Sequence, residues 1–111
     1  MSSKEELEEL KKNMMEMVEN NQDMKGFLNY VETAEKADSL DTKTKEMMSL
    51  AIGVVLRCDH CIKWHTDACI EAGVSEEEFK DALEIAVVMG GGPALAYATE
   101  AYKTFKEMKE E

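Results

Sequence analysis

The segment Met47-Met-Ser-Leu-Ala-Ile-Gly-Val-Val-Leu56 is apolar at every position except Ser49 and Gly53. A helix that is apolar on most of its sides is typical of a buried position rather than of a protein surface. Just upstream, Ser39-Leu-Asp41 offers side-chain oxygens that can accept the free N–H groups at a helix start. The sequence therefore predicts that this segment is the central helix of the fold.

Two amphipathic helices are predicted before the central one. From Lys4 to about Asn20, apolar residues recur at intervals of three and four, with Glu and Lys between them. The polar stretch Asn20–Asp23 interrupts this pattern, which resumes at Phe27 and continues to about Ala37. We therefore expect a helix pair joined by a short turn.

Three further helices are predicted after the central one. The first covers about Asp59–Ala72 and stops at Gly73, since glycine suits the left-handed position after a helix. Ser75-Glu-Glu-Glu78 has the pattern of a capping box and opens the next helix. Gly90-Gly-Gly-Pro93 ends it, and a last helix begins at the proline and runs through Phe105. With no strand-like alternation, we expect an all-α fold of six helices in one domain over residues 1–111.

Composition limits the classes of partner. The chain of 111 residues has a formal net charge of −11, which disfavours binding to nucleic acid and to acidic membrane surfaces. Its first residues lack the apolar core of a secretion signal, and no uninterrupted apolar run approaches the roughly 18 residues that span a bilayer. We therefore expect a cytoplasmic protein. Nine methionines and the apolar faces of both terminal helices indicate a homo-oligomer.

The chemistry-bearing segment is Cys58-Asp-His-Cys61-Ile-Lys-Trp-His65. Residues three apart on a helix have Cα atoms about 5 to 6 Å apart, so Cys58 and Cys61 can form and reopen a disulfide. The helix start favours a nucleophilic thiolate. His65 lies one turn beyond Cys61 on the same face and can exchange a proton with it.

Glu46 is the remaining candidate, because it begins the apolar run of the central helix, where a carboxylate needs a hydrogen-bond donor. An unbroken helix from Glu46 to Cys58 would span about 18 Å, whereas His65 lies about 10 Å back along an antiparallel helix. The mismatch of about 8 Å shrinks if the central helix ends early, and water could bridge the remainder. Whether Glu46 contacts His65 directly therefore stays open at this stage.

Plainer interpretations exist for several residues. Cys58, Cys61, His65 and either Glu46 or His60 could hold a structural zinc ion, although no second ligand cluster accompanies them. Cys69 continues the helical face into the interior and is expected to be a small core residue. Trp64 is expected to pack rather than bind substrate. No cofactor site is predicted.

The spacing Glu46-x11-Cys58-x2-Cys61-x3-His65, followed by Met89-Gly-Gly-Gly-Pro93, resembles the AhpD-like carboxymuconolactone decarboxylase family. His60 between the cysteines is similar to the alkylhydroperoxidase branch, and the resemblance covers about residues 40–97. It implies an all-helical fold that assembles as a trimer or hexamer, and an enzyme that reduces hydroperoxides. The decarboxylase branch lacks the cysteine pair.

By that resemblance Cys61 is the peroxidatic thiolate and Cys58 the resolving cysteine, while Glu46, His60 and His65 form a proton relay. The implied partners are a hydroperoxide substrate and an external dithiol reductant, either a lipoylated or a thioredoxin-like protein. An alternative is a disulfide reductase or redox sensor with little peroxide turnover. The sequence leaves the reductant and the substrate open.

Overall fold

The computed structural model describes all 111 residues and contains five α-helices and no strand. The helices are α1 (Ser3–Val18), α2 (Gln22–Glu35), α3 (Thr42–Val55), α4 (Asp59–Glu71) and α5 (Glu76–Lys109). The all-α prediction is confirmed.

Side-chain caps start the helices where the sequence places suitable residues. Asp41 accepts a hydrogen bond of 2.8 Å from the backbone N–H of Thr44 at the start of α3. Ser75 and Glu78 form the predicted capping box of α5, each side chain accepting from the other residue's backbone N–H. Such caps satisfy donors that a helix start leaves free.

The predicted break at Gly90-Gly-Gly-Pro93 is confirmed, because α5 consists of two helices that meet at a kink in this segment. Only Gly91 leaves helical geometry, with φ 71° and ψ −154°. A residue without Cβ adopts that conformation freely. Pro93 then falls in the first turn after the kink, where its missing N–H costs no hydrogen bond. The two arms of α5 therefore correspond to the two predicted helices, and Gly91 separates them.

The hydrophobic core lies where α3, α4 and α5 meet. Leu50 and Val54 of α3 are fully buried against residues of the other two helices. Phe79 and Phe105, from opposite ends of α5, bring their rings to 4.4 Å between centroids. The central position of α3 is thus confirmed.

The expectation that α3 is buried on most sides is wrong for the single chain. Met48, Ile52 and Leu56 form an exposed stripe at intervals of four residues, and Ile52 retains 57% of its accessible surface. The reason is that α4 and α5 cover only the opposite face of α3. Val88 and Met89, near the kink of α5, are also exposed.

By length and composition, α5 could cross a membrane, with a mean hydropathy of 1.3 over its most apolar 18-residue window. In the fold, α5 is kinked at Gly91 and supplies much of the core that covers α3 and α4. Within the single chain, 22% of that window is buried.

Candidate functional site

Glu46 and His65 are in direct contact. Glu46 Oε1 lies 2.7 Å from Nδ1 of His65, a distance at which a ring N–H donates to a carboxylate. Glu46 keeps only 6% of its surface accessible, and the His65 side chain keeps 18%. The buried carboxylate therefore has the hydrogen-bond donor that its position in the apolar helix requires.

This contact depends on the early end of α3. The helix stops at Val55, and Arg57 adopts φ 58° so that the backbone N–H of Cys58 donates to the carbonyl oxygen of Gly53. Along the axis of α3, the start of α4 therefore lies beside Gly53 and not beyond it at the position that Cys58 would have in an unbroken helix. From Glu46 to Gly53 the helix rises only about 10 Å, so the axial mismatch with His65 falls to a length that a Glu side chain spans.

Cys58 and Cys61 are joined in a disulfide, with Cα atoms 5.2 Å apart. Cys58 is the N-cap residue of α4, and its sulfur accepts the backbone N–H of Cys61 at 3.2 Å. Both residues are partly exposed. The predicted distance between the two cysteines is confirmed. The sulfur that accepts a hydrogen bond from the start of α4 is that of Cys58.

The remaining predicted residues lie elsewhere on α4. His60 is exposed and faces α1, where it lines a shallow depression with Glu6 and Glu9. Trp64 is partly buried, and Lys11 Nζ of α1 lies 4.8 Å from its ring centroid. Trp64 therefore packs against a neighbouring helix, as expected.

Cys69 is fully buried in the core, as the sequence predicted. Burial, with a further contribution from the charge of Glu46, raises the pKa of its thiol to about 12. A thiol with that pKa carries almost no thiolate at neutral pH and is a poor nucleophile.

Sequence reasoning missed Glu35. Glu35 is the last residue of α2. Its carboxylate forms a cluster with the carboxylate of Glu46 and the ring of His65, in which the three potential ligand atoms all lie within 4.8 Å of one another. The cluster joins three helices, and no local pattern around residue 35 signals it. As a set of potential metal ligands it differs from the proposed zinc set, because it contains neither Cys58 nor Cys61.

Sequence reasoning also missed Lys63, which is buried on α4. Its ammonium lies 2.6 Å from Asp59 and 3.2 Å from Glu6 of α1. Burial alone would lower the pKa of Lys63, but the hydrogen bonds to both carboxylates outweigh burial and raise it. Lys63 therefore fastens α1 to the helix that carries the cysteines.

Comparisons with known proteins point to one family. The profile of the Carboxymuconolactone decarboxylase family matches residues 22–104. An uncharacterized protein of Cupriavidus necator is 32% identical over 82 residues, which cover 74% of this chain and 73% of that protein. Alkyl hydroperoxide reductase AhpD of Anaeromyxobacter is 38% identical over 56 residues. That match covers 50% of this chain but only 29% of the AhpD protein.

Two solved structures have the same fold. A carboxymuconolactone decarboxylase family protein of Thermotoga maritima, a candidate for involvement in an antioxidative response, superposes with a TM-score of 0.88. It is 35% identical, and the alignment covers 95% of this chain and 91% of that chain. A family protein of Legionella pneumophila is 38% identical with a TM-score of 0.80 and the same coverage.

Proposed function

The chain belongs to the carboxymuconolactone decarboxylase family, and from this membership and its cysteine pair we propose that it is an AhpD-like thiol peroxidase that reduces hydroperoxides. The observation that carries the proposal is the Cys58–Cys61 disulfide at the start of the helix that also holds His65 against Glu46. The decarboxylase activity in the family name is not proposed, because this site has a cysteine pair that forms a disulfide.

In the oxidative half of the reaction, His65 accepts the proton of the Cys61 thiol. The Cys61 sulfur then attacks the outer oxygen of the hydroperoxide, so that an S–O bond forms and the O–O bond breaks. The protonated His65 ring returns its proton to the departing alkoxide, which leaves as an alcohol. Cys61 is now a sulfenic acid, and the peroxide has been reduced by two electrons.

The Cys58 thiol next attacks the Cys61 sulfenic acid, which closes the disulfide and releases water. An external dithiol, whose thiolate attacks Cys58, reduces the disulfide and is itself oxidised. Cys58 is suited to this role because its sulfur is the N-cap of α4 and is partly exposed. A lipoylated or a thioredoxin-like protein supplies the dithiol.

Glu46 orients the His65 ring and stabilises its protonated form. The buried carboxylate has no other hydrogen-bond partner in the fold, so the pair acts as a unit. His60 contributes from the exposed rim of the helix start, where it can exchange protons with solvent. These roles make Cys61, Cys58, His65, Glu46 and His60 the proposed catalytic set.

The protein acts as a cytoplasmic homo-oligomer, either a trimer or a hexamer. The exposed Met48, Ile52 and Leu56 stripe of α3, with Val88 and Met89 of α5, supports this part of the proposal because monomers rarely expose contiguous apolar patches of this kind.

A disulfide reductase or redox sensor is the second candidate. One observation favours it: an open surface depression of about 500 Å³ is lined by residues such as Leu83, Val88 and Leu95 and by none of the proposed catalytic set. A site on an open surface suits a protein disulfide as well as a small peroxide. Reductant-coupled consumption of a hydroperoxide by the wild type, compared with reduction of a protein disulfide, separates the two candidates.

A further inference from the structure

The helix α2 is amphipathic, yet none of its residues is buried in the single chain. Only Leu28, Val31 and Glu35 of α2 are partly buried. Phe27 keeps 64% of its accessible surface and Tyr30 keeps 68%. A surface helix normally buries its apolar stripe against another element. Much of the apolar surface of α2 therefore has no partner within the chain.

The exposed apolar surface of α2 continues onto α1. Met14 and Met17 of α1 line an apolar groove of about 390 Å³ with Met24 and Phe27 of α2. Tyr30 follows Phe27 one turn later on α2 and is also exposed. We call these five residues the hairpin surface. No residue of α3 or α5 lines the groove, so this surface is separate from the exposed stripe of α3.

The total accessible surface of the chain indicates that a partner is missing. It amounts to 7174 Å², whereas a compact monomer of 12.5 kDa exposes about 6,200 Å². The excess of about 1,000 Å² is larger than the roughly 800 Å² that each partner contributes to an interface of standard size. The apolar surface needs a cover whenever the chain is folded, and a second copy is the partner that is always present in equal amount.

The same helix carries the carboxylate that lies beside the Glu46–His65 pair. Glu35, the last residue of α2, lies within 4.8 Å of both groups. The ammonium of Lys45 donates to the backbone carbonyl oxygens on either side of Glu35, at 2.9 and 2.7 Å, but these hydrogen bonds are exposed to solvent. A helix of 14 residues without a buried side chain is marginally stable in water. The chain alone therefore holds α2 over the pair only loosely.

We propose that a second copy of this chain docks on the hairpin surface and thereby holds α2 over the Glu46–His65 pair. The role given to that pair rests on the proposed peroxidase function, whereas the docking rests on the surface itself. With the second copy in place, the end of α2 stays closed over the pair and limits the access of water. In the single chain, local opening of α2 exposes the pair more often. Peroxide reduction therefore depends on assembly through this surface.

The test compares the wild type with Phe27→Glu, which places a charge in the centre of the hairpin surface, and Tyr30→Glu is a second variant of the same kind. Asn29→Glu is the matched control, because Asn29 is exposed on the same helix and residues two apart lie on nearly opposite sides. Glutamate favours a helix at least as much as the residues that it replaces, so no variant weakens α2 by itself.

Three quantities are measured on the full chain. Light scattering gives the mass of the assembly, and amide hydrogen exchange read by mass spectrometry gives the opening of α2. The rate of disulfide formation with an organic hydroperoxide is followed at several protein concentrations. The first two quantities do not depend on the proposed reaction.

We expect the wild type to exceed the 12.5 kDa of one chain and Phe27→Glu to form a smaller species at the same concentration. Hydrogen exchange in α2 should accelerate about tenfold or more, because burying one aromatic side chain stabilises by more than the free energy that corresponds to a factor of ten. The rate of disulfide formation per chain should fall in Phe27→Glu and recover as protein concentration rises. Asn29→Glu should match the wild type in all three measurements.

A monomeric wild type would overturn the proposal and assign the hairpin surface to a different protein. An unchanged mass in Phe27→Glu, or an equal loss of mass in Asn29→Glu, would also overturn it. A smaller species with wild-type exchange in α2 and wild-type oxidation would refute the link between docking and the site. A wild type that reacts with no hydroperoxide would instead contradict the proposed function, while mass and exchange would still decide the docking.

Discussion

Gly53 of α3 packs closely against Cys61 of α4: a Cβ built on the glycine would lie 3.1 Å from the Cβ of Cys61, so that one of the two helices would have to give by a few tenths of an ångström. The absence of a side chain thus lets the cysteine-bearing helix pack directly on α3. The same approach keeps Glu46, two turns earlier on α3, within reach of His65. The geometry of the candidate site therefore depends on a residue that has no side chain.

We expect Gly53→Val to lower the free energy of unfolding by about 1 to 3 kcal/mol, the usual cost of overpacking a tight contact. Its rate of disulfide formation should fall as well, because α4 must move away from α3. Gly26→Val is the matched control: Gly26 is also helical, but a Cβ there meets no atom within 4 Å. Urea denaturation of both variants measures the difference. Equal stability of the two would show that the α3–α4 contact is not tight.

We expect His65→Gln to slow the oxidation of the reduced protein by hydroperoxide by about 10²- to 10⁴-fold, the usual contribution of general acid–base catalysis. Glu46→Gln should slow it less, because the amide oxygen still accepts the ring N–H but carries no charge. Stopped-flow kinetics measures both. The double variant should be no slower than His65→Gln alone, since Glu46 acts through the ring. Additive losses would mean that Glu46 acts independently.

The raised pKa of Glu35 should be visible in the pH dependence of the free energy of unfolding. The raised pKa means that folded Glu35 binds a proton more tightly than the unfolded chain does, so its contribution to stability decreases as pH rises from the unfolded pKa of about 4.3 through the folded pKa. Glu35→Gln should therefore gain stability relative to wild type between pH 4 and neutral pH.

Only the difference between the two proteins is diagnostic of Glu35. Capping carboxylates such as Asp41 and Glu78 have lowered pKa values, mainly because of hydrogen bonds. Their contribution to the free energy of unfolding therefore decreases as pH falls. Their contribution is common to both proteins and cancels. If the urea midpoints of the two proteins differ by the same amount at every pH in this range, Glu35 does not have a raised pKa.

Cys69 should stay unreactive while the fold is intact. With its pKa at about 12, it should resist alkylation in the reduced native protein, whereas Cys58 and Cys61 react. Mass spectrometry after alkylation at neutral pH should find two modified thiols, and a third only after unfolding. Cys69→Ala should keep wild-type peroxide kinetics. Rapid alkylation of Cys69 in the folded protein would show that its thiol is accessible to solvent, contrary to this account.

Local sequence patterns predicted features that depend on neighbouring residues. The Asp41 cap, the Ser75–Glu78 capping box and the Cys58–Cys61 pairing all lie within one helical turn, where spacing fixes geometry. The break between the two arms of α5 was also located correctly, because the glycine run and Pro93 are local signals.

Tertiary relationships could not be read in the same way. The Glu46–His65 contact required α3 to stop at Val55 and the chain to turn through Arg57, which spacing alone left open. Glu35 reaches the cluster from the end of α2, which Lys45 of α3 fastens by hydrogen bonds to the backbone carbonyl oxygens of Ala34 and Lys36. No periodicity records such a contact between helices.

The most direct test follows one turnover of the reduced protein with a single equivalent of an organic hydroperoxide, by mass spectrometry and by quantifying the alcohol formed. We predict that wild type loses two hydrogen atoms as the disulfide closes, that Cys58→Ser gains one oxygen atom at Cys61, and that Cys61→Ser remains unmodified and forms no alcohol. Stoichiometric alcohol formation by Cys61→Ser, or by both variants at the wild-type rate, would contradict peroxide reduction through Cys61.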